Sequence, residues 1–279
     1  MNTEPIYITK ADGSREIFDS SKLEYSLKHA GASSESVELI LRDISDLMVD
    51  GMTTHEIYTR AFEMLGVRER PIAVRYSLKR AIMELGPSGF PFEKFVAEVL
   101  REKGFETLTD QKVRGKLVEH EIDVVAWNEE KLIMVEAKFH NQLGVKTDLK
   151  VILYVKERFD DLSAVTFDYG RPGRKIDEGW LVTNTKFTST AIEYGSQQGK
   201  ELVLIGWNYP TQGNLHDLIL EEKLHPLTCL GSLNGREKKE LLDKGIVLCK
   251  TLLDNPQLLE AVGLTPAEKE KVLEEIKSL

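Results

Sequence analysis

The sequence predicts a mixed chain of the α+β / α/β class: a small hairpin-plus-four-helix unit, a central sheet flanked by helices, and a helical tail. Three observations predict it. An Asp12-Gly13 turn between two short strand-like runs opens the chain and is followed by four stretches of helical periodicity. Residues 120–140, HEIDVVAWNEEKLIMVEAKFH, read as two adjacent antiparallel strands around a turn. From about residue 213 the apolar positions keep helical spacing, with short Gly or Pro breaks.

The first unit begins with YITKADGSREIFD, a hairpin by its turn chemistry. Helices are expected over 22–30, after Asp19 and Ser20 as caps and before Gly31, and over 35–49, where Val37, Ile40, Leu41, Ile44, Leu47 and Met48 recur. Two more fall near 54–65 and 70–85. The joint Gly86-Pro87-Ser88-Gly89 reads as the end of this unit.

Next comes GFPFEKFVAEVLREKGFE, a helix with Phe92, Phe95, Val96, Val99 and Leu100 on one face and Gly104 as its stop. In the hairpin that follows, IDVVAW and KLIMVEAKF flank the turn NEEK. Side chains alternate along a strand, so Glu136 and Lys138 share a face and Ala137 takes the other. With Asp123 across from them, two carboxylates and an ammonium meet at the end of a sheet. Hard oxygen ligands suit Mg²⁺, and a positive group beside an attacking water suits phosphodiester hydrolysis. A Glu and a Lys two apart also occur as a solvated surface pair, worth about 0 to 1 kcal/mol. The apolar run Leu132, Ile133, Met134 and Val135 just before them favours the functional reading.

Asp123 followed by Glu136-Ala137-Lys138, after that helix, resembles the PD-(D/E)XK nuclease superfamily, in its Mrr-like restriction endonuclease and archaeal Holliday-junction resolvase branches. Ile122 replaces the nominal Pro. The resemblance spans roughly residues 88–210 and implies a mixed sheet flanked by helices. It further implies that Asp123, Glu136 and the carbonyl of Ala137 bind Mg²⁺ (or Mn²⁺), and that Lys138 orients or helps deprotonate the attacking water. Glu93, eleven residues before the Gly, would hold a second metal or a metal-bound water. Its other reading is a helix-dipole partner. His120, Glu121 and His140 flank the site, as phosphate or water contacts or as ordinary strand-edge residues. Gln111, Lys112, Lys116, Lys146 and Lys150 are further candidate phosphate contacts, and Arg171, Arg174 and Lys175 form a charged loop that reads as a DNA-binding rim or as a solvated linker.

The run Ile8-Thr9-Lys10-Ala11-Asp12-Gly13, then Glu16, Asp19 and Lys22, resembles the opening of the ATP-cone, the nucleotide-sensing domain of ribonucleotide reductase large subunits and of a bacterial repressor of their genes. Ala11 stands where that family usually has Arg. The resemblance implies a site for ATP or dATP that includes Ile8 and in which Lys10 and Lys22 neutralise phosphates. Glu16 and Asp19 would read ribose or base edges, and Thr54, Arg75, Lys79 and Arg80 would close it. A degenerate cone serving as a docking or dimerisation module is the alternative. No Walker loop is present.

GWLVTN and ELVLIGWNYP read as two buried strands around a helix near 188–199, placing Thr183, Asn184 and Lys186 at a strand end. The tail carries Leu241, Leu242, Ile246, Leu248, Leu252, Leu253, Leu258, Leu259, Val262, Leu264, Val272 and Ile276. It is vaguely similar to a helix-hairpin-helix domain, and reads equally as a helical lid or dimer interface.

With 279 residues, 41% apolar and 30% charged, the chain can bury two or three cores, and three domains are expected over 1–87, 88–212 and 213–279. A net charge of −9 leaves no segment as a basic footprint, so DNA contacts should be local. There is no membrane-spanning run or signal-peptide core, and only Cys229 and Cys249 are present, which suits a reducing cytoplasm. The expected function is a Mg²⁺-dependent DNA endonuclease of defence or repair, a homo-oligomer regulated by ATP or dATP. The rival is a nucleotide-sensing DNA-binding regulator that does not cleave.

Overall fold

Strand pairing organises the larger part of the chain. The computed structural model describes residues 5–10, 13–142 and 144–279. By its contacts the chain divides into residues 1–80 with 278–279, and residues 81–277.

In the first unit β1 (Tyr7–Thr9) pairs antiparallel with β2 (Arg15–Ile17). The expected turn residues Ala11 and Asp12 lie outside the described residues, but Gly13 donates to the carbonyl of Lys10 at 3.0 Å. The four expected helices follow as α1 (Ser20–His29), α2 (Ser34–Leu47), α3 (Thr54–Arg68) and α4 (Arg70–Met83). Asp19 caps α1 through the Ser21 amide, and Thr53 with Glu56 makes a reciprocal capping box on α3. Ile8, Leu27, Val37, Ile40, Ile44, Ile57, Ala61 and Leu65 form the unit's core. Val37, Ile40 and Ile44 are expected periodic positions of α2, whereas Leu47 of the same series is exposed, since one apolar stripe per helix is what a small bundle can bury.

The second unit holds α5 (Phe90–Glu102) and a five-stranded mixed sheet of order β3-β4-β5-β7-β9. Its strands are β3 (Glu106–Arg114), β4 (Glu119–Trp127), β5 (Leu132–Lys138), β7 (Glu178–Thr183) and β9 (Val203–Ile205). The pairs β3-β4 and β4-β5 are antiparallel, whereas β5-β7 and β7-β9 are parallel. A two-residue parallel pair, β6 (Lys146–Thr147) with β8 (Lys186–Phe187), lies beside it. α6 (Leu149–Ser163) and α7 (Ser189–Gly195) join the sheet's core through Ile152, Val155, Phe159, Leu162 and Ala191, packed with Val125, Leu132, Met134 and Leu181. α5 ends where Gly104 takes φ +84° and the Phe105 amide returns to the Leu100 carbonyl, the left-handed stop expected there.

The tail comprises α8 (Leu215–Glu221), α9 (Gly235–Asp243), α10 (Cys249–Asp254), α11 (Gln257–Glu260) and α12 (Pro266–Lys277). Leu241, Leu252, Leu259 and Val272 are buried in it. Cys229 and Cys249 are free thiols with their sulfurs 3.8 Å apart. The fold class read from the sequence is the one observed. Among the described residues no helix is long and apolar enough to cross a membrane.

Candidate active site

The site forms where β3, β4 and β5 lie side by side under the first turn of α5. The pairs Thr109↔Val124 and Gln111↔Ile122 put Asp110 opposite Asp123, and continuing the register of Val124↔Val135 puts Asp123 opposite Glu136. Asp110 takes φ +55°, a left-handed conformation that Asp tolerates better than most residues. Lys94 of α5 donates to Thr109 Oγ1 at 2.6 Å and ties the helix to that strand. Glu93 sits beside it, half-buried.

Like charges dominate the electrostatics. Burial, then the carboxylates of Asp123, Asp110, Glu136 and Glu121, push the Glu93 carboxyl up to about 7. Burial followed by Asp123 pushes Glu136 up to about 7, against the pull of Arg158 and Lys138. Asp123 is also raised, chiefly by burial, although its Oδ2 accepts the Ala137 amide at 2.7 Å. A cluster in which burial and like charges outweigh Arg158 and Lys138 gains from a further cation, and hard oxygen donors in one place suit Mg²⁺ or Mn²⁺. The donor set therefore fits a divalent ion held by Asp123, Glu136 and the Ala137 carbonyl, with the Glu93 carboxyl beside it.

Lys138 lies at the exposed end of β5 and makes no ion pair among the described residues. It thus projects beyond the buried run that precedes it. Glu136 has a partner with no counterpart in the sequence reading: Arg158 of α6, whose Nη1 pairs with Glu136 Oε2. Asp110, likewise not anticipated, completes the acidic group. The helical spacing of Ile152, Val155, Phe159 and Leu162 was the available signal for α6, but which strand residue Arg158 meets is a tertiary matter.

The flanking residues divide. Lys112 is exposed across from Glu121, and Lys116 is exposed in the β3–β4 turn. Lys146 and Lys150 are exposed near the C-terminal end of β5. His140 belongs to a hydrogen-bonded lattice: its amide donates to Asn184 Oδ1 at 2.8 Å, its Nε2 meets Thr147 Oγ1 at 2.9 Å, and that hydroxyl reaches Thr183. Burial, then the charge of Lys138, holds its imidazole below the ordinary range. His120 meets Asp161 Oδ2 at 2.8 Å and fastens β4 to α6.

Of the charged loop, Arg174 does not take the solvent-facing place expected of it. Arg174 is buried, donates to the Asn128 carbonyl at 2.7 Å and lies 3.7 Å from Asp177, so it braces the sheet rather than facing solvent. Arg171 and Lys175 are exposed, but this loop meets Trp127 and Asn128, beside the start of β5. Six residues of strand, about 20 Å at ~3.3 Å each, separate that end from Lys138. Charge and Gly/Pro content identify a loop, not the end of the sheet on which it lies.

In the first unit Lys10 pairs with Glu16 at 2.6 Å, and Lys22 approaches the same carboxylate at 3.3 Å. Ile8 is buried in the core, Asp19 is the α1 cap and Thr54 begins α3. Arg80 Nη2 lies 3.3 Å from His55 Nδ1, and its guanidinium covers the Tyr58 ring at 5.1 Å. Lys79 precedes it on α4.

This sheet, with its acidic cluster and strand-end lysine, defines a restriction-endonuclease-like domain, and residues 86–208 match the restriction endonuclease catalytic family. Residues 225–279 match the family described as AF1548-like, C-terminal. An uncharacterised protein of Archaeoglobus fulgidus is 35% identical over 189 residues, 66% of this chain and 99% of the relative. A crystal structure of a protein of unknown function, AF1548, is 34% identical with a TM-score of 0.55, covering 68% of this chain and 97% of that one. The chain belongs to the AF1548-like family.

Proposed function

We propose that the protein is a metal-dependent DNA endonuclease. The supporting observation is the convergence of Asp123, Glu136 and Glu93, with two carboxyls pushed up to about 7, next to the exposed Lys138. Mg²⁺, when bound, would polarise a phosphoryl oxygen and raise the acidity of water. The chain's own contributions follow from position. Asp123 and Glu136 offer the oxygen ligands, with the Ala137 peptide between Glu136 and Lys138 as a third. The Lys138 ammonium orients the attacking water and offsets charge growing on the phosphate. Glu93 orients water from the α5 side. Lys112, Lys116, Lys146 and Lys150 supply local cations for a backbone that an acidic protein otherwise repels.

The test is cleavage of plasmid and branched DNA in Mg²⁺, with Mn²⁺ binding measured by calorimetry. Asp123→Asn and Glu136→Gln should lose cleavage by about a hundredfold or more and lose metal affinity, whereas Lys138→Ala should lose turnover and keep the metal. Undiminished cutting by Asp123→Asn would sink the site.

Residues 5–80 are further inferred to bind ATP or dATP and thereby regulate cleavage. Lys10 and Lys22, gathered on one carboxylate beside the hairpin, support phosphate recognition there.

A further inference from the structure

The nuclease reading leaves one strongly placed group without a role. Arg158 is 13% exposed, and its Nη1 serves both Glu136 Oε2 and the Glu121 carbonyl, the latter at 3.0 Å. Its Nη2 donates to the Tyr154 hydroxyl at 3.0 Å, and the guanidinium lies 5.0 Å from the Tyr154 ring centroid. Nε is buried with no hydrogen-bond partner. Tyr154 itself is 62% exposed.

Two features set this apart from an ordinary ion pair. The guanidinium occupies a carboxylate that a divalent ion needs, and two cations cannot share it without repulsion. The pose also leaves a donor unsatisfied, so it is not the one in which all five Arg donors are best used. Once released from Glu136, its planar fork matches the paired non-bridging oxygens of a phosphodiester, which a Lys in the same place would not.

We propose that Arg158 is the phosphate clamp of this site: it rests on Glu136 until a divalent ion takes that carboxylate, then turns its fork onto the scissile phosphate, with the exposed Tyr154 ring against the adjoining sugar or base. The inference rests on the nuclease reading above. It also gives the contact a character, since charge and ring stacking both ignore base identity. The residues next to the cut phosphate are then gripped without sequence readout.

The experiment uses full-length Arg158→Met, Arg158→Lys and wild type. Mn²⁺ binding is measured by calorimetry without DNA, duplex binding by fluorescence anisotropy in Ca²⁺ over a range of salt, and folding by melting temperature. Arg158→Met should bind Mn²⁺ at least as tightly as wild type, because a competing cation is gone. It should bind DNA about tenfold or more weakly, with a salt slope smaller by about one. Arg158→Lys should keep the slope yet bind several-fold more weakly, and it carries the test if the Met variant does not fold. Unchanged DNA affinity and slope in Arg158→Met would overturn the clamp and leave a structural pair. Loss of Mn²⁺ together with DNA would overturn it in favour of a residue that only positions Glu136. Wild type that neither binds Mn²⁺ nor cuts DNA would overturn the nuclease reading itself, a result that needs no variant.

Discussion

Glu93 shows at the scale of one residue what the site costs the fold. Its carboxyl is pushed up to about 7 from an ordinary value of 4.5, first by burial and then by four neighbouring carboxylates. A folded-state value above the unfolded one means that the native protein binds the extra proton. The penalty is therefore absent below pH 4.5, grows as pH rises and is complete above about 7. Glu93→Gln removes the penalty, so its melting temperature should exceed that of wild type more at pH 8 than at pH 5. Titrating groups remote from the cluster are common to both proteins and cancel in the difference, and relief of the neighbouring carboxylates acts in the same direction. Saturating Mn²⁺ should narrow the gap at pH 8 by giving the carboxylates a counter-charge. A pH-independent difference between the two proteins would show that Glu93 does not belong to the cluster.

Single elements are held to the sheet by carboxylates that accept backbone amides. Asp161 of α6 takes the Leu117 amide at 2.7 Å, the Val118 amide at 3.3 Å and His120 Nε2 at 2.8 Å, which pins the β3–β4 turn. That turn passes so close that a Cβ on Gly115 would fall 2.2 Å from Asp161 Oδ2. Gly115→Ala should therefore lower the melting temperature and weaken DNA binding, because Lys116 moves with the turn. In the tail, buried Glu275 of α12 accepts the Gly231 and Ser232 amides at 3.0 and 2.9 Å. Glu275→Ala would orphan both donors and cost about 2 to 4 kcal/mol, read as a shifted denaturant midpoint at constant slope. An unchanged midpoint would mean that another group replaces the clasp.

The whole molecule joins two compact units on one chain. If ATP or dATP binds residues 5–80 as proposed, it would stabilise the native state by about 2.7 kcal/mol at a hundredfold excess over Kd. Wild type should show that gain as a melting shift, and Lys10→Ala with Lys22→Ala should abolish it while leaving Mn²⁺ binding intact. Absence of any shift in wild type would make the first unit a docking module, the consequence expected if Ala11 in place of Arg has removed the phosphate partner. A double-strand break is made most simply by two sites related by a twofold axis, so assembly is the natural route of control. Light scattering with each nucleotide, paired with nicking and linearisation rates on one plasmid, tests it. A monomer with identical rates throughout would leave the two units uncoupled.

The sequence by itself determined the local features: the N-terminal hairpin and its four helices, the stop at Gly104, the strands around NEEK, and the buried strands near 180 and 204. Each is set by periodicity, caps or turn chemistry within a dozen residues, where nearest-neighbour physics decides. Asp123, Glu136 and Lys138 were legible for the same reason, since they share one hairpin. β3 was not, because an edge strand with alternating exposed positions such as Leu108, Asp110 and Lys112 carries a weak apolar signal. The partners brought to the site from elsewhere were decided by the tertiary structure alone. Asp110 arrives through strand register and Arg158 through the packing of α6 22 residues beyond Glu136, whereas Glu93 is implied by the family resemblance and not by any local pattern. The same holds for the removal of Arg174 to the far end of the sheet. Charge marks a side chain as able to act, but which charges share a low-dielectric space depends on how layers stack, and no local pattern of residues encodes that distance.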